Sequence, residues 1–589
     1  MVVLFDDSFT SGAQTQDGQT IALEAISAAN IIETAGVSDK LTLIPLTTPE
    51  RLEVGEIKGT ESLKGWLKER SPAPIKPNLR SALALADSIF SHSSKFNREL
   101  YIVSGFYGGE WDSVDWTPVK GSRTFLLPTG PERLRNVGVE DAKLLSSIRQ
   151  AGRSVEIEAV FANLGDGATE AAPVSVYLEG ERVAQASVDV PEGATVIKKF
   201  NLTPPSTGLL AGSIRLDEPD PLLEDNRRYF ILDIPDELKL LVVAPDTLTR
   251  TIISAALGGN DESSVKITFA SPERWEATPL DGFDALLLVD VASLSDAAVD
   301  EATDFVKRGG GLIIMPGEES EPSELTRGLL SHLGFGAARG ISKGGITWGA
   351  LDIEHPIFNG VFEDGGSPKP PNLTFAFDFS QAPGDRVVIP LRSGSPFLVE
   401  RQIGRGRALL FASPPQTVSG ELIFSGIFAP LLLRSVAYSV SARAEAAETW
   451  ETGFVAKPIL TLPKAVELQL IGPNGDVTML PPRPLLGGVE YDVGRITLPG
   501  IYDLRDGEHV IARFAANVPF RSSQLIRPSN ARLTDQFSGA IILKGSGEEI
   551  ATSIASYRFG SEFWRPIAFA FMLLLTTESI LARPRKDEV

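Results

Sequence analysis

The chain has 589 residues, 43% of them hydrophobic and 22% charged, an ordinary globular composition with room for roughly three to five domains. Its net charge of −21 disfavours nucleic acid and broad contact with anionic lipid. The chain contains no cysteine, which excludes disulfides, thiolate metal sites and cysteine nucleophiles.

Residues 1–132 alternate short apolar runs with stretches of helical spacing. The runs at 2–5 and 41–46 predict buried strands, and the spacing at 21–34 and 79–90 predicts helices. Strand and helix in repetition predict a parallel sheet flanked by helices, whose functional loops follow the carboxyl ends of the strands. The first such loop, residues 6–11, reads Asp-Asp-Ser-Phe-Thr-Ser.

This loop resembles the metal-binding loop of the von Willebrand factor A fold. Asp6, Ser8 and Thr10 match that family's pattern Asp-x-Ser-x-Ser/Thr. The resemblance implies a Mg²⁺ site on these three residues, and Mg²⁺ prefers such hard oxygen ligands. We therefore take Asp6, Ser8 and Thr10 as the candidate metal residues.

Two other positions depart from the family pattern. Asn78 stands where the family has a threonine, and Gly105 stands where it has an aspartate. Two interpretations stay open. Either the loop binds metal with help from Asp7 or Asn78, or it is a relic in which Asp6 and Ser8 cap a turn. The relic is the favoured interpretation.

In residues 133–235 helical spacing gives way to apolar residues at every second position, as at Val155, Ile157 and Ala159. Short strands between turn signals predict an immunoglobulin-like β-sandwich. Near its end lies an acidic cluster, for which a Ca²⁺ site and a solvated turn are the two interpretations. The solvated turn is favoured. The cluster consists of Asp217, Glu218, Asp220, Glu224 and Asp225.

Residues 236–445 return to alternating strands and helices, with continuous apolar runs such as 285–289 that are typical of strands covered on both faces. The segment resembles the class I glutamine amidotransferase-like fold, whose activity requires a cysteine that this chain lacks. His332 and His355 could serve a serine-based substitute, but neither lies near a Gly-x-Ser-x-Gly elbow. We therefore predict no catalytic residues.

The remaining chain predicts a small β-domain at 446–520, with a hairpin turn at 473–475, and a linker at 521–562. Residues 563–582 predict a transmembrane helix, because the apolar run approaches the roughly 17–25 residues of a span. Arg583, Arg585 and Lys586 place the tail 583–589 in the cytoplasm.

Glu578 lies inside that run, where a carboxylate costs a few kcal/mol unless it is paired or near the membrane surface. The alternative interpretation is a buried C-terminal core helix. If residues 563–582 span the bilayer, we expect the protein in the bacterial inner membrane. Its large domains would then lie in the periplasm.

The order of these domains resembles the Bat-type (aerotolerance) membrane proteins of bacteria. The shared markers are the loop at 6–10, Ser104-Gly-Phe106 with Trp111, 225–227, 517–518 before a polar linker, and the predicted terminal span that ends in arginines. Such proteins begin with two further membrane helices, so we expect this chain to be N-terminally shortened, which would explain the missing export signal. The resemblance implies that the protein acts together with a MoxR-type AAA ATPase.

We therefore predict a membrane-anchored, non-enzymatic interaction or scaffold protein with protein partners and no resident cofactor. The alternative is a Mg²⁺-dependent ligand-binding or adhesion module acting through Asp6, Ser8 and Thr10. A third hypothesis is a hydrolase or amidotransferase in 236–445, which requires a nucleophile other than cysteine.

Overall fold

The structure is a computed structural model of the whole chain and contains several domains that mix α/β architecture with β-sheets. It describes residues 1–581 except 37–38, 50–59, 94–96, 112–115, 118, 120, 147–148, 150, 235–236, 259–264, 354, 359–368, 446–448, 461, 463, 486–487, 546–547 and 560–563. The predicted cytoplasmic tail at 583–589 lies outside the described residues.

The first domain is built on a parallel sheet in the order β4-β1-β5-β6. Val2 and Leu4 face one core cluster and Val3 and Phe5 face the other, which is why every residue of β1 is apolar. The direction in which successive strands are added changes between β1 and β5, because β4 lies on one side of β1 and β5 lies on the other. The elements are β1 (Val2–Phe5), β2 (Gln14–Thr15), β3 (Gly18–Gln19), α1 (Thr20–Glu33), β4 (Thr42–Pro45), α2 (Thr60–Glu69), α3 (Leu79–Ser91), β5 (Glu99–Ser104) and β6 (Arg123–Pro128).

The second domain consists of two antiparallel sheets around one core, as the alternation predicts. The sheets have the orders β10-β9-β12-β13 and β11-β8-β7. The strands are β7 (Val137–Leu144), β8 (Val155–Asn163), β9 (Thr169–Leu178), β10 (Glu181–Val190), β11 (Thr195–Leu202), β12 (Gly208–Leu216) and β13 (Arg227–Ile234).

The third domain has a seven-stranded sheet in the order β15-β14-β16-β17-β22-β21-β20, of which the first five strands are parallel. Its strands are β14 (Leu238–Val243), β15 (Val265–Ala270), β16 (Ala285–Val289), β17 (Gly311–Met315), β18 (Ala338–Ile346), β19 (Leu373–Phe379), β20 (Arg386–Pro390), β21 (Pro396–Ile403) and β22 (Gly406–Phe411). Its helices are α4 (Thr247–Ala256), α5 (Asp296–Lys307), α6 (Pro322–Leu325), α7 (Ser331–Leu333) and α8 (Phe428–Glu445).

The fourth domain is a small β-domain whose main sheet has the order β23-β32-β31-β26-β27. The predicted hairpin is present as β26 paired with β27 across Pro473-Asn-Gly475. The strands are β23 (Thr449–Glu451), β24 (Val455–Ala456), β25 (Ile459–Leu460), β26 (Leu468–Ile471), β27 (Val477–Leu480), β28 (Arg483–Leu485), β29 (Gly488–Glu490), β30 (Gly494–Arg495), β31 (Gly500–Asp506) and β32 (His509–Asn517).

The segment predicted as a linker at 521–562 instead returns to the first domain, and the prediction is wrong for this part. It forms α9 (Asn530–Gln536), β33 (Ile541–Ile542) and α10 (Glu548–Phe559). Strand β33 pairs in parallel with β6, so it completes the sheet as its fifth strand. A two-residue strand leaves no readable periodicity, and its pairing partner lies more than 400 residues earlier.

Residues 564–581 form the last helix, α11 (Trp564–Leu581). Most of its apolar side chains, such as Leu574 and Leu581, are exposed. Among the helices of the described residues, none combines the length and apolar character needed to cross a membrane. The predicted transmembrane helix at 563–582 is therefore not supported by the structure.

Candidate functional site

The loop that follows β1 brings the three predicted metal residues together. Both oxygens of the Asp6 carboxylate accept hydrogen bonds, one from the Ser8 N–H at 3.1 Å and one from Ser104 Oγ at 2.5 Å. The hydroxyl oxygens of Ser8 and Thr10 lie 3.2 Å apart. The loop sits beside β5, where the strand order reverses, and this is where doubly wound sheets bind ligands.

Asp7 is committed to a different set of contacts. Its carboxylate accepts hydrogen bonds from the Thr47 N–H at 2.9 Å and from Thr47 Oγ1 at 2.8 Å. It also accepts a bond from Arg70 Nε at 2.9 Å. The Asp7 side chain is fully buried, and it ties the loop to the end of α2 through Arg70 and to the end of β4 through Thr47. The Asp7 carboxylate, considered above as an extra metal ligand, is therefore already engaged by Thr47 and Arg70.

A second carboxylate, Glu24 on α1, reaches the same place. Its Oε1 accepts a hydrogen bond from the Gly105 N–H at 2.7 Å, whereas its buried Oε2 has no partner among the described residues. Burial, followed by the charge of Asp6, raises the pKa of Glu24 well above its usual range. Sequence reasoning missed Glu24, although a carboxylate three residues after Ile21 on the apolar face of α1 was an available signal.

The two positions that depart from the von Willebrand pattern have structural roles. An added Cβ at Gly105 would lie 2.6 Å from the Tyr107 ring, so the aspartate of the family pattern does not fit there. Asn78 caps α3, because its Oδ1 accepts a hydrogen bond from the Ser81 N–H at 3.1 Å. Neither residue points to a ligand.

The loop is covered by two other parts of the chain. Phe9 and Ala13 pack with Leu222 of the sandwich and Leu525 of the returning segment. The Gln14 N–H donates to the Pro221 carbonyl at 2.8 Å. We call this contact between residues 6–14, 219–226 and 520–526 the joint. Because Asp6, Ser8 and Thr10 are all buried in it, the loop is not an open crevice.

Three of the five acidic residues, Asp220, Glu224 and Asp225, lie in the joint, and the burial of Asp225 corrects the prediction of a solvated turn for that residue. Asp225 is 1% exposed, and its Oδ2 accepts a hydrogen bond from Asn136 Nδ2 at 2.8 Å. Burial, followed by the charge of Asp220, raises the pKa of Asp225 to about 8. Burial also raises the pKa of Asp220 to about 6. Gly138 lies against Asp225, where an added Cβ would be 2.9 Å from its Cγ.

The donor atoms around the loop fit the chemistry of Mg²⁺ in part. Asp6 and Glu24 offer carboxylates, and Ser8 and Thr10 offer hydroxyls, all of them hard oxygen ligands. Across the described part of the chain, no three carboxylate or imidazole groups converge as a metal-holding cluster. The metal site at Asp6, Ser8 and Thr10 therefore stays a prediction, with Glu24 as the added donor.

The two histidines considered for catalysis lie apart. His355 is fully buried, with its Nδ1 accepting from the Ile357 N–H at 3.2 Å and its Nε2 lying 3.3 Å from Glu400 Oε2. This places the ring proton on Nε2, toward the carboxylate. His332 is on the surface, where its Nδ1 lies 2.7 Å from the Gly328 carbonyl. These contacts are typical of packing and of a helix end.

No protein-family model and no curated protein matches the chain. Parts of it resemble solved structures. A cytoplasmic protein from Salmonella typhimurium LT2 is 14% identical, over 34% of this chain and 99% of that chain, with a TM-score of 0.29. The CARDB domain of the PF1109 protein from Pyrococcus furiosus is 20% identical, over 17% and 89%, with a TM-score of 0.16.

A beta-galactosidase from Rahnella sp. R3 is 12% identical, over 44% of this chain and 41% of that chain, with a TM-score of 0.26. Likenesses at these TM-scores carry no functional argument.

Proposed function

We propose that this chain is a non-enzymatic scaffold protein of the bacterial envelope, of the Bat (aerotolerance) type. In this proposal residues 1–132 with the returning segment form a von Willebrand factor A-like domain, and 133–235 form an immunoglobulin-like sandwich. Residues 236–445 form an amidotransferase-like domain without its nucleophile. Its partners are proteins, including membrane proteins and a MoxR-type AAA ATPase.

The joint is the observation that supports this proposal. The loop that would bind a ligand in an adhesion module is buried between domains, and its polar groups bond one another. The residues beside these polar groups, Phe9, Ala13 and Gln14, contact the sandwich and the returning segment, and these contacts hold the three parts in fixed positions. A scaffold needs such fixed spacing, because a partner that contacts two domains at once gains affinity from pre-organisation.

The fourth domain is fastened to the sandwich in a similar way. Tyr229 and Asn517 exchange two hydrogen bonds, of 2.7 and 3.0 Å, between strand β13 and strand β32. Arg513 donates to Glu179 Oε1 and to the Leu209 carbonyl, each at 2.7 Å. Since Arg513 also pairs with Asp503 at 2.7 Å, the contact is a network rather than a lone surface ion pair.

Binding of a purified MoxR-type ATPase to the immobilised full-length chain tests the scaffold proposal. We expect binding that is unchanged by EDTA and by Asp6→Asn, because the loop serves as structure. Absence of any ATPase binding would reject this partner. Serine-reactive probes provide a second arm, since specific labelling within 236–445 would point to an enzyme.

Attachment to the inner membrane through α11 is part of the same proposal. Its apolar side chains are largely exposed, among them Ile567 at 64%, Phe569 at 68% and Leu573 at 56%. We expect the full chain to stay with membranes after an alkaline wash, and a chain ending at residue 559 to be released. Release of both forms would show that α11 is no anchor and would favour the core-helix interpretation.

The alternative is a Mg²⁺-dependent ligand-binding module with its site on Asp6, Ser8 and Thr10. One observation favours it, namely that Glu24 Oε2, buried close to Asp6, makes no hydrogen bond of good geometry with the residues that the structure describes. A divalent cation there would supply the missing partner and neutralise two adjacent carboxylates. Loss of ATPase binding both with EDTA and with Asp6→Asn would support this module over the scaffold.

A further inference from the structure

The third domain holds a cavity that none of the motifs considered above explains. It has a volume of about 270 Å³ and lies where β16 and β17 end, between residues 290–296 and 316–329. Pockets for drug-sized ligands occupy roughly 300–1,000 Å³, so this one suits a smaller molecule. Open α/β sheets bind ligands at the carboxyl ends of their strands, and this cavity opens there.

Asp290 is a buried residue that lines the cavity. It is a non-glycine residue with φ of +48°, a left-handed conformation that costs free energy and is concentrated at ligand-binding positions. Its side chain is held in place, because Oδ1 accepts from the Glu319 N–H at 2.9 Å and Oδ2 from Gln416 Nε2 at 3.3 Å. An added Cβ at Gly317 would lie 2.3 Å from Asp290 Cγ, so only glycine admits this carboxylate.

The wall of the cavity contains a second irregularity. Residues Thr326–Leu330 form a π-helical turn between α6 and α7. Such turns are rare and occur frequently at functional sites. Arg327, Gly328 and Leu329 of this turn line the cavity. The strained residue and the π-helical turn therefore meet at one cavity, although they come from different elements.

The electrostatics of the cavity identify the ligand class. Asp290 is 5% exposed, and among the described residues no basic side chain forms an ion pair with it. Buried charges in proteins are normally paired. Two more carboxylates, Asp296 and Glu324, stand at the rim against one guanidinium, that of Arg327. The floor is apolar, with Leu288, Ile314 and Leu329 among its residues.

We propose that this cavity binds a small organic cation, a primary amine with a short apolar body whose ammonium group pairs with Asp290. The apolar part of the ligand covers the floor and replaces water there. Asp296, in the first turn of helix α5, adds its carboxylate to the residues that line the cavity. The site is independent of the scaffold role, since it uses no residue of the joint.

Titration of the full-length protein with three probes of equal length tests the site: pentylamine, 1-pentanol and pentanoate. Calorimetry and ligand-detected NMR give the affinities. We expect pentylamine to bind at least about tenfold more tightly than the other two probes. Equal affinity for alcohol and amine, tighter binding of pentanoate, or no binding of the amine would overturn the proposal.

Two variants locate the binding. Asp290→Asn removes the charge, and asparagine tolerates a positive φ well, so the fold should be kept. We expect this variant to bind pentylamine at least about tenfold more weakly. Asp300→Asn, an exposed position on α5 outside the cavity, is the matched control and should bind as the wild type does. Unchanged amine binding in Asp290→Asn would overturn the site, and so would an equal loss in the control.

Discussion

Several carboxylates of this chain are buried in its interior. Glu24, Asp225 and Asp290 all lie inside the protein, each with burial as the largest cause of a raised pKa. Each lies against a glycine or a glycine N–H: Gly105 for Glu24, Gly138 for Asp225 and Gly317 for Asp290. Small backbone positions therefore make the space in which these charged groups are held.

Asp225 gives the chain a pH-dependent stability. Its pKa of about 8 in the folded state lies above the usual 3.8, so between pH 4 and 8 the folded state keeps a proton that the unfolded state has lost. Stability therefore falls as pH rises through this window, by at most about 1.4 kcal/mol per pH unit from this group. We compare the free energy of unfolding of Asp225→Asn with that of the wild type, as measured by urea unfolding. We expect this difference to shift in favour of the variant between pH 5 and pH 8.

The exposed Asp476→Asn is the matched control, since residue 476 lies in the turn of the β26–β27 hairpin. Its stability difference from the wild type should not change with pH. The same pH slope in wild type and Asp225→Asn would contradict the assignment to Asp225. Asp220, whose pKa is about 6, makes a smaller contribution to the pH dependence of stability. This contribution remains in the Asp225→Asn variant at lower pH.

At the scale of elements, helix α10 of the returning segment is held by an ion pair and an apolar face. Arg558 of α10 donates to both oxygens of Glu99, at 2.7 and 2.9 Å. Although burial raises the pKa of Glu99, the bonds from Arg558 and Tyr101 outweigh this and lower it overall. Ile550 and Ile554 of the same helix are buried in the core of the first domain.

We expect Arg558→Ala to destabilise the first domain by about 3–5 kcal/mol, because it leaves the Glu99 carboxylate buried without its partner. Thermal unfolding of the full-length chain, with native-state hydrogen exchange of β5, measures this effect. Lys544→Ala on the same segment is an exposed control and should change stability by less than about 0.5 kcal/mol. A loss under 1 kcal/mol in Arg558→Ala would mean that the segment contributes little.

A truncation tests the same element as a whole. A chain that ends at residue 520 loses β33 and exposes the edge of β6, together with Phe106 and Trp111, whose rings pack against Phe537 in the full chain. We expect the first domain of this chain to unfold at a lower temperature and to aggregate, because exposed strand edges pair with other chains. An unchanged melting temperature for this domain would show that residues 1–132 fold independently.

At the scale of the molecule, the four domains are joined in chain order and then closed by the return of the last segment. A consequence is that a fragment of residues 1–132 lacks a strand and two helices of its own domain. Experiments on the joint therefore require the whole chain. The joint also brings together parts of the chain that are far apart in sequence, because residues 6–14 and 520–526 share the same contact.

Metal dependence is best measured on that full-length chain. A site filled at 100 times its dissociation constant would add about 2.7 kcal/mol to the stability of the domain that holds it. From the scaffold proposal we expect the melting temperature to be the same with millimolar Mg²⁺ and with EDTA. A Mg²⁺-dependent rise that is absent in both Asp6→Ala and Glu24→Gln would instead establish the metal-dependent alternative.

The local elements and their grouping can be predicted from the order of the residues. Period-two and helical spacing identified the β-sandwich and the alternation of strands and helices, because this periodicity is set by which face of each element is buried. It also brought Asp6, Ser8 and Thr10 into one loop. Only the tertiary structure decided that this loop is covered, and that 521–559 belongs to the first domain.

The reason is the distance along the chain between the groups that meet. Ser104 bonds Asp6 across 98 residues, and Arg558 bonds Glu99 across 459 residues. Periodicity carries no information about such partners. Burial of Asp225 and the positive φ of Asp290 depend likewise on what packs against them. A carboxylate in a loop is solvated unless another domain covers it, and that cover is set by the whole fold.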